Sequence, residues 1–286
     1  MPHPAPWIGF EALADLLRGR SVAVLSGAGV STESGIPDYR GPDTRENDHT
    51  PIRYREFLTE PETRRHYWAR SAVGWPAFDA ATPNAGHRAL ARLEAAGVVT
   101  GIITQNVDRL HQEAGSERVV ELHGALAEVV CLDCGTLSSR RALQDRLLHL
   151  NPGWPQEADE LAPDGDAELP RSATRSFTVP DCQACGGTLK PKVVFFGEDT
   201  APAPVERAWT LLAEADALLV TGSSLTVYSG FRFVRKAARA NQPVGIVNLG
   251  PSRGDALAEV CVDGKTGEVL PQLAKAAGAS SPAATA

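Results

Sequence analysis

The chain has 286 residues, 43% of them apolar, and a formal net charge of −7. That length suits one large domain or two unequal ones, with enough apolar side chains for a sizeable core. An isoelectric point near 5.5 argues against a nucleic-acid binder, which carries a basic footprint, and no stretch approaches the about 18 apolar residues of a membrane span.

Met1 to Phe10 lacks the basic and apolar regions of an export signal, so a cytoplasmic location is expected. Arginine outnumbers lysine and alanine is abundant, which fits a GC-rich bacterial genome; the mitochondrial matrix is the alternative for a eukaryotic source. Phe10 to Leu17 has apolar residues at helical spacing and predicts a short amphipathic helix. Val22-Ala23-Val24-Leu25, closed by Ser26, reads as a buried strand.

That strand delivers Gly27-Ala28-Gly29-Val30-Ser31. Glycines let the main chain approach a ligand closely, and backbone N–H groups beside a helix start suit a pyrophosphate. The sixth position of the ordinary G-x-G-x-x-G fingerprint is Thr32, so taken alone the signal is weak, and a plain strand-to-helix turn is the alternative. Such a turn does not require the Asp38-Tyr39-Arg40 cluster that follows Gly35-Ile36-Pro37. The loop is expected to run to about Thr50, and Ile52 to Trp75 reads as helical.

Thr82 is expected to cap the next helix, with Pro83 at its first position and Gly97 at its end. Val98 to Thr104 is a strand that delivers Gln105-Asn106-Val107-Asp108. In open parallel sheets, ligands sit at the carboxyl ends of strands. Asp108 also stands where it would cap a helix, and the two roles are compatible. Val119 to Leu122 is a further strand, ending at His123-Gly124. Asn151 to Glu168 reads as an irregular excursion, and Lys190 to Glu198 as a strand entering a loop. Val205 to Ala215 is a helix, Ala217 to Thr221 a strand ending at Gly222-Ser223-Ser224, Phe231 to Ala240 a helix, and Val244 to Asn248 a strand ending at Leu249-Gly250. The alternation predicts an α/β fold on a parallel sheet, and the joint placement of polar strand ends predicts a dinucleotide site. The small, polar tail after Ala276 is expected to be disordered.

Of five cysteines, Cys131, Cys134, Cys182 and Cys185 form two C-x-x-C pairs. In a chain without an export signal this arithmetic favours a metal over disulfides, and four thiolates match tetrahedral zinc. Four free buried cysteines, or a redox dithiol, are the alternatives. A four-cysteine site has no open position, so its zinc is expected to be structural. Cys261 lies in an apolar run and is expected in the core. His123 is the leading general base, since histidine titrates near neutrality and this one follows a strand end. His87, His111 and His149 read as helical surface or packing residues.

Together the Gly27–Ser31 and Gly35–Arg40 segments, Thr104-Gln105-Asn106-Val107-Asp108, Glu121-Leu122-His123-Gly124, the paired cysteines and Gly222-Ser223-Ser224-Leu225 resemble the sirtuin family in order and spacing. Tyr67-Trp68-Ala69-Arg70 and Val227-Tyr228-Ser229-Gly230 resemble its class II branch most. The resemblance implies a Rossmann-like parallel sheet with helices on both faces, in segments 1–50, 83–127 and 190–275. It adds a helical insert over 51–82, an inserted zinc-binding module over 128–189, and a tail over 276–286. It implies that NAD is a consumed co-substrate and that acylated-lysine proteins are the partners, with no nucleic acid and no membrane. The acyl oxygen attacks the ribose carbon bearing nicotinamide, His123 deprotonates a ribose hydroxyl that attacks the imidate, and water completes the reaction to lysine and O-acyl-ADP-ribose.

By the same resemblance, Asn106 and Asp108 act with His123, and Gln105 and Val107 join them at the nicotinamide end. Gly27, Ala28, Gly29 and Ser31 border the cofactor, and Asp38, Tyr39 and Arg40 fold over it. Gly222, Ser223, Ser224, Asn248, Leu249 and Gly250 hold the adenosine end, with Thr266 a further contact. Phe196, Gly197, Glu198 and Leu225 flank the peptide, bound as an added strand. Tyr67 and Arg70 resemble a pair that grips a carboxylated acyl group, as an Arg fork can; an Arg/aromatic helix face explains them equally well. Protein mono-ADP-ribosyltransfer, lipoamidase activity on the same site, and a non-catalytic NAD-responsive module are the competing readings.

Overall fold

The computed structural model describes residues 7–41, 51–155, 157 and 162–279. The far part of the loop expected to reach Thr50, and the tail from 280 onward, lie outside the described residues. Among the described residues nine strands follow in chain order: β1 (Val22–Ser26), β2 (Val99–Thr104), β3 (Val119–Glu121), β4 (Gly124–Cys131), β5 (Leu137–Ser139), β6 (Leu189–Val193), β7 (Ala217–Thr221), β8 (Val244–Asn248) and β9 (Val260–Asp263). The helices are α1 (Phe10–Leu17), α2 (Tyr54–Thr59), α3 (Pro61–Asp79), α4 (Ala85–Ala95), α5 (Leu110–Glu113), α6 (Arg140–Leu150), α7 (Pro202–Ala213), α8 (Tyr228–Arg239) and α9 (Thr266–Ala276).

Six strands form one parallel sheet in the order β3-β2-β1-β7-β8-β9. Its central strands β1 and β7 are buried throughout because both faces are covered. Val22, Val24, Ile102 and Leu219 pack with Leu13 of α1, Leu90 and Leu93 of α4 and Leu270 of α9. The alternate residues Ala23, Leu25, Ile103, Leu218 and Val220 face Leu211 of α7 and Phe233 and Val234 of α8. This is the period-2 alternation of a strand placed between two helical layers. The strand order reverses between β1 and β7, so a crevice opens outside their carboxyl ends.

The smaller sheet is antiparallel, in the order β5-β4-β6. Residues 190–193, expected in the Rossmann-like part, pair with β4 here. With α2, α3 and α6 this sheet builds a second core, in which Phe57, Trp68, Leu143, Leu147 and Phe177 surround Cys131 and Cys182.

Several local expectations change. The helix expected across 52–75 is two helices, with Pro61 opening the second, where its missing N–H costs nothing. Asn84, not Thr82, caps α4: its side-chain oxygen accepts from the N–H groups of Gly86 at 2.9 Å and His87 at 3.3 Å. α8 starts at Tyr228, ahead of the expected Phe231. Cys261 is exposed, because the alternation of edge strand β9 turns Val262 inward.

Candidate functional site

The strand ends meet in one cleft of about 660 Å³, bordered on the other side by the loop after β6. β1 contributes Gly27 to Ser31, and the chain then makes two single turns of 3₁₀ helix, Ala28–Val30 and Thr32–Ser34. No α-helix starts here, so the helix end expected to face a phosphate is absent among the described residues. The glycines serve a loop-to-loop contact. Gly27 N–H donates to Thr221 O at 3.1 Å and Gly29 N–H to Gly222 O at 2.8 Å. A Cβ at Gly27 would lie 2.7 Å from the Ser223 Cβ. Gly27 itself is extended; the demand is for space. Gly35, at φ +85°, does need the left-handed region.

Ser31 is buried and central to the polar network. Its hydroxyl donates to Asp108 Oδ2 at 2.7 Å and accepts from Asn106 Nδ2 at 3.0 Å. Asp108 Oδ1 accepts from Leu110 N–H at 2.9 Å, so the carboxylate holds both a helix start and the site. Burial pushes the Asp108 carboxyl above its ordinary value, against these hydrogen bonds to its charged form. Behind this layer the rings of His87 and His111 pack edge to face at 4.9 Å, both fully buried. Burial lowers the His87 imidazole to about 4 and that of His111 well below its ordinary value, so both are neutral packing groups.

His123 follows β3 and lines the same cleft. Its Nδ1 lies 2.9 Å from the Gln105 carbonyl oxygen. A carbonyl only accepts, so Nδ1 carries the proton and Nε2 presents a lone pair, the form a general base needs. Burial holds this imidazole below its ordinary value; the Gln105 carbonyl opposes that and the Arg232 guanidinium adds to it. Gln105 also accepts from the Ser223 hydroxyl at 2.9 Å, linking the ends of β2 and β7.

Asp38, Tyr39, Arg40, Val107, Ser224, Asn248 and Leu249 all line the cleft. Gly250 and Thr266 do not: Gly250 N–H is taken by Asp263 Oδ1 at 2.8 Å, and the buried Thr266 hydroxyl reaches Gly29 O at 3.3 Å. On the opposite wall Phe196, Gly197, Glu198 and the buried Leu225 line the cleft, and the Tyr39 ring stands edge-on to Phe196 at 5.9 Å. Glu198 is anchored by buried Lys190 at 2.9 Å. Tyr67 lines the cleft too, its ring against Phe57 at 5.5 Å and Phe195 at 5.3 Å. Arg70, one helical turn on, points elsewhere. It is buried, with Nε donating to Ala167 O at 2.8 Å and Nη2 paired with Glu168 at 3.0 Å.

Among the lining residues not expected at the site from sequence are Asp164, Ser229 and Arg232. Asp164 belongs to a stretch read as irregular, and the other two to a helix start placed too late.

The four cysteines expected to bind metal lie together. Their sulfurs are all within 4.8 Å of one another, with Cys131–Cys185 at 3.5 Å and Cys134–Cys182 at 3.8 Å. Four thiolates about 2.3 Å from a tetrahedral zinc stand about 3.8 Å apart, so the set fits that ion. Gly135 and Gly186, at φ +73° and +74°, close the two turns.

Residues 27–229 match the family model described as the Sir2 family. The chain belongs to the Sir2 family. This Sir2 protein is 55% identical to NAD-dependent protein deacetylase 1 of Streptomyces coelicolor, over 92% of this chain and 88% of that one. It is 48% identical to the mitochondrial NAD-dependent protein lipoamidase sirtuin-4 of Homo sapiens, over 89% of this chain and 82% of that one. A solved Sir2 structure with a p53 peptide and NAD+ superposes with a TM-score of 0.76 at 31% identity, covering 96% of this chain and 100% of that one.

Proposed function

We infer that this chain is an NAD-dependent protein-lysine deacylase that splits NAD and transfers the acyl group to ADP-ribose. The observation that carries this is the neutral His123, its Nε2 accepting from the Ser229 hydroxyl, in the same cleft as the Gln105–Asp108 strand end and the Phe196–Glu198 loop. NAD is a substrate here. The acyl oxygen of the modified lysine displaces nicotinamide from the ribose carbon. A ribose hydroxyl, giving its proton toward His123, then attacks the imidate, and water releases lysine and O-acyl-ADP-ribose.

The chain's residues divide this work. The zipped β1 and β7 loops and the Asn248 strand end wall the nucleotide side. Asn106 and Asp108, both fixed by Ser31, shape the nicotinamide end. Tyr39 and Phe196 close over the reacting atoms, which shields a reactive ribosyl intermediate from water. The four thiolates hold a structural zinc that keeps the small lobe folded. The thiolates need a reducing compartment and bacterial relatives are 55% and 52% identical to this chain, so we place the protein in the bacterial cytoplasm.

The test is mass spectrometry of products from NAD and a panel of acetyl-, lipoyl-, succinyl-, glutaryl- and long-chain-acyl-lysine peptides. Free lysine peptide with O-acyl-ADP-ribose is expected for at least one acyl group. If label from NAD stayed on protein and no O-acyl-ADP-ribose formed, the deacylase reading would give way to ADP-ribosyltransfer.

A further inference from the structure

The His123 imidazole has both ring nitrogens engaged. Nδ1–H donates to the Gln105 carbonyl at 2.9 Å, so only Nε2 can accept. The Ser229 hydroxyl lies 2.8 Å from Nε2 and must therefore donate to it. That single in-plane lone pair is the one through which His123 would remove a proton from substrate.

The hydroxyl is held there by its backbone. Ser229 sits in the first turn of α8, and its carbonyl accepts from Arg232 Nε at 3.1 Å. The next residue, Gly230, is packed on the Gln105 side chain, where a Cβ would lie 2.7 Å from Cδ. Gln105 thus holds Nδ1 with its carbonyl and buttresses the Ser229 turn with its side chain. Both hydrogen bonds to the imidazole are built on one scaffold. Ser229 also lines the cleft, so it faces substrate as well as the base.

We propose that the Ser229 hydroxyl relays the proton from the substrate ribose hydroxyl to His123 Nε2. The substrate O–H bond breaks as its proton passes to Ser229 Oγ. In the same step the Ser229 proton passes to Nε2. Ser229 ends as a neutral hydroxyl, His123 as imidazolium, and the freed electron pair on the ribose oxygen forms the bond to the acyl carbon. Serine suits this because its hydroxyl donates and accepts at once. Burial, with the neighbouring Arg232 cation adding to it, favours the neutral imidazole that can accept. The relay rests on the deacylase reading, in which His123 is the base.

The test uses the full chain with Ser229→Ala and Ser229→Thr, NAD, and an acyl peptide that the wild type turns over. Exchange of labelled nicotinamide into NAD reports the step before proton removal. Ser229→Ala should lower kcat for lysine-peptide release about 10- to 100-fold while KM for NAD stays within about twofold and nicotinamide exchange persists. Ser229→Thr, which keeps the hydroxyl, should restore most of the rate. A solvent-deuterium proton inventory should be curved for wild type and linear for Ser229→Ala. Ser229→Ala turning over as fast as wild type, or faster, would overturn the relay, because the hydroxyl would then be a spectator or a competitor for the lone pair. Loss of exchange and turnover together in both variants would overturn it in favour of a structural role. Wild type releasing no nicotinamide with any acyl peptide would overturn the deacylase reading itself, and the relay with it.

Discussion

Ser31 illustrates how much of this site depends on single short side chains. Its hydroxyl bonds Asp108 and the buried Asn106 at once. Ser31→Ala leaves both partners short of a hydrogen bond. We expect a stability loss of about 1–3 kcal/mol by urea denaturation and a fall of about tenfold or more in kcat/KM. Unchanged kcat/KM would show that Asp108 and Asn106 keep their places unaided. His123 gives a pH prediction. As the proposed base it acts in its neutral form, and burial, with Arg232 adding to it, holds its folded-state value below the ordinary one. The base is therefore present at neutral pH and is lost only as pH falls through that lowered value. The acidic limb of kcat/KM should have its midpoint below about pH 6.5; a midpoint above that would show that substrate, not the protein, sets the titration. The polar residues at strand ends were legible in sequence because little else explains Gln105, Asn106 and Asp108 after an apolar strand. Ser229 was not, since a serine near a helix start looks like any other.

Helix α3 shows what spacing can and cannot say. Tyr67 and Arg70 are three residues apart, so they share a helix face, and sequence alone makes them look like a joint grip on a carboxylate. The long arginine side chain instead turns to the 162–168 segment, where Ala167 O and Glu168 take its donors. Spacing fixes where a Cβ stands, not where a guanidinium ends. Arg70→Met should therefore cost about 2 kcal/mol of stability and leave the ratio of glutaryl- to acetyl-peptide turnover unchanged. A lost glutaryl preference in a variant with normal melting would put Arg70 back in the acyl pocket. The same limit explains α4. Thr82-Pro83-Asn84 offers two capping residues, and only the tertiary structure chooses Asn84, whose Nδ2 also reaches Val30 O at 2.7 Å and ties the helix to the β1 loop. Strand positions were legible because apolar β-branched runs between glycines have few other uses. The pairing of β6 with β4 was not, because partners far apart in sequence leave no local trace.

At the scale of the whole molecule, the cleft has two walls with separate cores. The nucleotide wall rests on the parallel sheet, whose two faces are packed by helices and contain no member of the cysteine cluster. The other wall rests on the small lobe, where Cys131 and Cys182 are part of the same buried cluster as Tyr67, Phe57 and Phe195. Phe195 leads directly into the Phe196–Glu198 loop, proposed to flank the peptide, so the metal site and that loop stand on one core. A lobe this small has little apolar area of its own, and metal binding is then folding free energy. Elemental analysis should find one zinc per chain. Stripping it with a chelator should lower the melting midpoint by more than about 10 °C and abolish acyl-peptide turnover. Binding of ADP-ribose, followed by calorimetry, should persist, because Gly27 and Gly222 follow strands of the parallel sheet and Asn248 ends one. Full turnover by the metal-free chain would show that the small-lobe core holds the peptide loop unaided. Loss of ADP-ribose binding along with turnover would show that the two walls fold as one unit and not as two.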